Sequence, residues 1–168
     1  MAVEVEGARE LRRELKAADA AWPKELAQLH RQIAAKVTAT ARGNVAGLPS
    51  AQQRAAAGNV RPRGSAAAAR VAVVPTASVP WAKAAIWGAK GRSGWYADPK
   101  YAGSGGRQFP AWVGGSWQVG GPGGPYGVNA AVRSEAPWIE AKYLSGVDDL
   151  YRRAFPEQIG RASCRERV

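Results

Sequence analysis

The chain has almost none of the side chains from which active sites are usually built. It carries one cysteine and one histidine in 168 residues, and the cysteine, Cys164, falls among the last ten. Those ten, 159–168, read like vector-derived sequence and are set aside as a non-native read-through tail, so a single domain is expected over 1–158. Without Cys164 there is no disulfide framework, thiol nucleophile or cysteine metal site. His30 has no second histidine with which to build a metal site of the usual spacing. It lies beside an apolar helical stripe and reads as structural. No apolar run approaches the ~18 residues of a membrane span, and the first residues lack the charged start and apolar block of a secretory signal. The expectation is a soluble, non-enzymatic protein made in a cytoplasm, with no cofactor, no metal and no small-molecule substrate.

Acidic residues are missing from the middle of the chain. The net charge is +11, and residues 26–134 contain thirteen basic side chains against one acid, Asp98, whereas both ends are close to neutral. Such segregation fits one face that meets a polyanion or an acidic partner. A solvated basic surface accounts for the same pattern. Arg54, Arg61, Arg63 and Arg70 are the candidates for a DNA-facing or polyanion-facing role.

Glycine and tryptophan are concentrated instead. Five of the seven tryptophans (Trp81, Trp87, Trp95, Trp112, Trp117) fall within residues 81–126, and thirteen glycines lie between positions 88 and 127. Regular helix does not carry that much glycine, because each one costs roughly 1 kcal/mol relative to alanine. The stretch is therefore expected to be a long loop whose large rings contact a core or another subunit. Trp95, Tyr96, Tyr101, Phe109, Trp112, Trp117 and Tyr126 are its candidate subunit or partner contacts.

The rest of the chain is expected to be helical with a little sheet. Val3 and Val5 alternate with Glu4 and Glu6 before Gly7, as in a short edge strand, and residues 8–18 form an exposed amphipathic helix. Trp22-Pro23 opens a second helix to about Arg42, with Leu26, Leu29, Ile33, Val37 and Ala41 as its apolar stripe and Gly43-Asn44 as its stop. Residues 43–65 read as a flexible basic loop with a helical turn near 50–57. Val71-Ala72-Val73-Val74 and Ala84-Ala85-Ile86-Trp87 are predicted strands, joined across residues 75–80. Beyond Tyr126 two helical pieces meet at Pro137. The fold class is α+β: a short antiparallel sheet with N-terminal helices and a C-terminal helix on one face, plus the long Gly/Trp-rich loop.

Reactive constellations are absent from this reading. Asp148 and Asp149 are adjacent on a helix and point about 100° apart, so they do not converge on a substrate. Arg152 and Arg153, three to four residues on, suit them better as a charged outer face. The glycine runs at 103–106 and 120–124 do not open a helix after a strand with a lysine and Ser/Thr behind them, so they do not make a phosphate loop. Basic residues interleaved with aromatic rings do suit phosphates and exposed bases.

Several stretches together resemble the neck and tail-completion proteins that join head to tail in long-tailed double-stranded DNA phages, in particular those of actinobacteria. They are Val3-Glu4-Val5-Glu6-Gly7 leading into Ala8-Arg9-Glu10-Leu11-Arg12-Arg13, then Arg61-Pro62-Arg63-Gly64, Trp87-Gly88-Ala89-Lys90 and Gly94-Trp95-Tyr96. Arg107-Gln108-Phe109-Pro110-Ala111-Trp112-Val113-Gly114 and Asp148-Asp149-Leu150-Tyr151-Arg152-Arg153-Ala154-Phe155-Pro156 complete the set. Many members place Glu-Phe-Gly after the central hairpin; here residues 96–107 stand there without it, so the level in the neck or tail is not assigned. The resemblance implies a non-enzymatic virion protein that forms a homo-oligomeric ring around the DNA passage. Its implied partners are adjacent connector and tail proteins, with DNA passing non-specifically through the lumen, and its location is the virion, after assembly in the host cytoplasm. A basic nucleic-acid-binding protein is the alternative.

Overall fold

The computed structural model describes residues 22–89, 109–114 and 123–154, together with Arg13. The expected N-terminal strand and the rest of the first predicted helix lie outside the described residues. Within them the order is helix α1 (Trp22–Ala46), short helix α2 (Ala51–Ala55), a single 3-10 turn (Ala57–Asn59), strands β1 (Val60–Gly64) and β2 (Ala69–Val73), helix α3 (Ala82–Trp87) and helix α4 (Val128–Ala154). This is an α+β fold with a two-stranded antiparallel sheet.

The apolar stripe that predicts α1 is the one it buries: Leu26, Leu29, Ile33, Val37 and Ala41, extended by Trp22 and Val45. The helix does not stop at Gly43-Asn44. Val45 is fully buried, and the Asn44 side-chain amide donates to the Gly127 carbonyl at 3.1 Å. Burying a valine is worth about 1.5–3 kcal/mol, which outweighs the roughly 1 kcal/mol that a helical glycine costs. The chain leaves one turn later, where Gly47 N–H donates to the Gly43 carbonyl at 3.1 Å.

The sheet differs from expectation in its first strand and its pairing. β2 is where Val71-Val73 predicts it, but its partner is β1, inside the stretch that reads as a loop, with Val60 opposite Val73, Pro62 opposite Val71 and Arg63 opposite Arg70. Residues 84–87 are not a strand; they lie in α3. A four-residue apolar run does not by itself distinguish the two conformations. Alanine favours helix, and Ala82, Ala85 and Ile86 reach the core together only at helical spacing. The Gln53 side-chain amide holds the same helix from α2 by donating to the Ala85 carbonyl at 3.1 Å.

α4 runs as one helix through Pro137 rather than as two pieces. Pro137 and Arg133 are both exposed, so the carbonyl that loses its amide partner lies on the solvent side, while Val132 and Ile139 hold the two halves against the core. Farther along, α4 comes so close to α1 that a Cβ on Gly146 would lie 2.6 Å from Leu29 Cδ2.

Two apolar clusters share the α1 scaffold. One joins the C-terminal half of α1 to Val60, α3, Phe109 and the start of α4. The other joins Trp22, Leu26, Leu29 and Ile33 to Leu150. Ion pairs at the rim, Arg153 to Glu25 at 2.9 Å and Lys36 to Glu135 at 3.6 Å, align the two long helices, each contributing about 0–1 kcal/mol.

Candidate functional site

The described ends of the glycine- and tryptophan-rich stretch are fastened to α3. Gly88 ends that helix with φ 78° and ψ 178°, a conformation open essentially to glycine alone. Residues 109–113 then lie beside it: Ala89 N–H donates to the Pro110 carbonyl at 2.9 Å, and Val113 N–H donates to the Trp87 carbonyl at 3.0 Å. A side chain at Gly88 is excluded by space as well, since its Cβ would fall 1.9 Å from the Ala111 carbonyl oxygen.

This docking sorts the expected interface aromatics. Phe109 is a core residue, 3% exposed and packed in the same cluster as Ile86 and Val128. It anchors the segment internally and offers nothing to a partner. Three residues on, Trp112 is 45% exposed, its ring tilted against Trp87 at a centroid distance of 6.4 Å. Tyr126 is half-buried; its N–H donates to the Ile86 carbonyl at 2.8 Å and its hydroxyl to the Ala111 carbonyl at 3.1 Å. The Asn129 side-chain amide donates to the Gly123 carbonyl just upstream. Trp95, Tyr96, Tyr101 and Trp117 lie outside the described residues.

The basic candidates divide in a similar way. Arg54, on α2, turns its guanidinium back to the Leu48 and Pro49 carbonyls at 3.1 and 2.5 Å. Arg61, Arg63 and Arg70 share the outer face of the hairpin: Arg61 and Arg63 are two apart on β1, and Arg70 stands directly opposite Arg63. All three are exposed, and no carboxylate among the described residues pairs with them. Like charges directly opposite one another in a sheet are destabilising, so this face gains from an anionic neighbour.

His30 is buried. Its Nδ1 contacts the Ser65 carbonyl at 2.6 Å and its ring stacks on Tyr143 at 5.9 Å, so it ties the hairpin turn to α1 and α4. Asp148 and Asp149 do not form a carboxylate pair. Arg152 donates to Asp148 at 2.6 Å and Arg153 to the Asp149 carbonyl at 3.2 Å, and the Asp148 hydrogen bond raises the Arg152 guanidinium above its ordinary value. Among the described residues no group of three or more His, Cys, Asp or Glu side chains is placed to hold a metal, and no helix is long and apolar enough to cross a membrane.

One surface has no counterpart in the sequence-based site. Leu144 is 61% exposed, and Trp138 and Tyr151 also reach the surface. Leu144 and Tyr151 are seven residues apart and therefore on one side of α4. Their helical spacing resembles a core stripe, and only the position of α1 shows which part of it is buried.

Comparison with protein-family models, curated proteins and solved structures finds no match to this chain.

Proposed function

We propose that this chain is a non-enzymatic structural subunit of a phage head–tail junction, which assembles as a ring and docks to neighbouring connector or tail rings. The observation that carries the proposal is the presence of exposed apolar side chains at separate places along α4: Trp112 beside its start, and Leu144 and Tyr151 in its second half. Trp112 is held next to the start of that helix by the Tyr126–Ala111 hydrogen bond, and Leu144 and Tyr151 lie 16 and 23 residues beyond Val128. At 1.5 Å per residue Leu144 and Tyr151 stand about 25–35 Å along the helix from Val128. A closed ring is built from a heterologous contact in which each subunit offers two different surfaces. The sequence resemblance supplies the head–tail context. The DNA passage follows from the same context, with no membrane or small-molecule partner.

Light scattering and electron microscopy of the purified protein, alone and with its connector and tail neighbours, test the reading. Rings are expected, and Trp112→Ser or Leu144→Asp alone should stop closure. A mixture of the two variants should yield a dimer, because each retains one intact patch. A chain that stays monomeric at every concentration and with every partner overturns the proposal.

The arginine face, with which no carboxylate among the described residues pairs, supports the alternative of non-specific nucleic-acid binding. That reading requires DNA affinity that falls steeply with salt and weakens when Arg61, Arg63 and Arg70 are replaced together. No binding at low salt removes it.

A further inference from the structure

Arg63 and Arg70 stand opposite each other where the hairpin borders a cavity. Val74 N–H donates to the Asn59 carbonyl at one end of the hairpin and Ser65 N–H to the Ala68 carbonyl at the other. Hydrogen-bonded and non-hydrogen-bonded pairs alternate in an antiparallel ladder, so Arg63 and Arg70 form a bonded pair in this register. Their Cα atoms are therefore about 5.5 Å apart, with both side chains on one face. Two guanidiniums at that spacing can close on one oxyanion through charge-assisted hydrogen bonds. Arg61, two residues before Arg63 on β1, adds a third cation about 7 Å along the same face.

The cavity has a volume of about 320 Å³, and Val71, Val73, Trp87, Pro125 and Val128 line it together with the two arginines. Pro125 and Val128 are its buried part. They are held in place by Tyr126 N–H, which donates to the Ile86 carbonyl at 2.8 Å, and by Asn129 N–H, which donates to the Pro125 carbonyl at 3.0 Å. Trp87 is fixed as well, since its carbonyl accepts from Val113 N–H at 3.0 Å. The volume falls in the range of small-ligand pockets.

A bare phosphate would use the arginines and leave the apolar wall against water. An apolar side chain would use the wall and leave the two cations facing each other. A nucleotide satisfies both, with an oxyanion at one end and a flat, stackable ring at the other. The thirteen basic residues against one acid between positions 26 and 134 favour a polyanion over an isolated nucleotide. In a duplex the bases are stacked inside the helix and cannot enter such a cavity. We infer that the cavity takes one unpaired base of a single-stranded nucleic acid, with an adjoining phosphate on Arg63 and Arg70 and a neighbouring one on Arg61. The inference rests on reading the arginine face as a nucleic-acid contact, and adds to it a base-binding pocket.

The test uses the full chain at low salt and three fluorescent probes: an oligothymidylate, an abasic chain with the same number of phosphates, and the oligothymidylate in duplex form. Anisotropy should show the oligothymidylate binding about tenfold or more tightly than the abasic chain, because only the former offers bases to the cavity. Ala72 also lines the cavity, and a strand accepts an aromatic residue readily. Ala72→Phe should therefore fill the cavity and bring those two affinities together, leaving the duplex affinity unchanged. Arg70→Glu, at an exposed position, is the second variant and should weaken oligothymidylate binding several-fold more than Arg61→Glu does. Equal affinity for the oligothymidylate and the abasic chain overturns the inference and leaves phosphate binding by the arginine face standing. A base preference that survives Ala72→Phe in a folded variant, or equal losses in Arg61→Glu and Arg70→Glu, overturns it too. Absence of binding to all three probes overturns both the inference and the reading beneath it.

Discussion

Replacing Gly88 with alanine tests the docking that presents Trp112. The new Cβ meets the Ala111 carbonyl oxygen at 1.9 Å and its carbon at 2.4 Å, on a backbone with φ 78°. Neither partner is a flexible side-chain tip, so the two strands of chain cannot both stay where they are. The least unfavourable response is release of residues 109–113 from α3. That forfeits the Ala89–Pro110 and Val113–Trp87 hydrogen bonds, each worth about 0.5–1.5 kcal/mol, and the burial of Phe109, worth about 1.5–3 kcal/mol. The expected loss is about 3–6 kcal/mol, which for a chain of this size lowers the thermal midpoint by roughly 6–24 °C. Gly123→Ala is the matched control. Its φ is 80°, yet nothing lies within 4 Å of the added methyl, so only the backbone penalty of about 1–2 kcal/mol applies. Thermal unfolding of both variants, with exchange of the Ala89 and Val113 amides, separates the two effects. Equal midpoints, or unchanged protection of those amides in Gly88→Ala, would refute the argument that this contact holds the segment.

Three further outcomes follow from contacts elsewhere. His30→Ala removes the Nδ1 contact with Ser65 and the stack on Tyr143; it should destabilise by about 2–3 kcal/mol and speed exchange of the Ser65 amide more than that of α1. Asn59→Ala removes donors to the Val74 carbonyl at 2.7 Å and to Thr76 Oγ1 at 3.2 Å. A loss of about 1–3 kcal/mol in denaturant unfolding is expected, with the m-value unchanged. Arg153→Ala breaks an ion pair whose side chains are well exposed, so its effect should stay below about 1 kcal/mol and vanish at high salt.

How much was legible in the sequence depended on whether a signal was local. The stripe from Leu26 to Ala41 determines α1, because residues three and four apart share one helical face wherever the helix packs. The run Val71-Ala72-Val73 likewise determines β2, and the segregation of charge determines that one region of the surface is basic. Pairing is different. β1 is hidden in Arg61-Pro62-Arg63, which looks like loop because its outer face is charged and its inner face has only Val60, Pro62 and Gly64; it becomes a strand because β2 and α1 accept it in that register. The helix over Ala82–Trp87 was beyond local reading too, since so short an apolar run carries no distinguishable period.

The aromatic stretch shows the same division. Its composition by itself determined that large rings would touch something. It did not say which rings. Phe109 and Trp112 are three residues apart with similar chemistry, and one is core while the other is surface, because Gly88 lets the chain pass against α3 in one register. The sequence put Arg54, Arg61, Arg63 and Arg70 in one basic group; that the last three share a face while Arg54 turns back to its own loop was decided only by the tertiary structure, because the hairpin register sets which residues stand opposite one another.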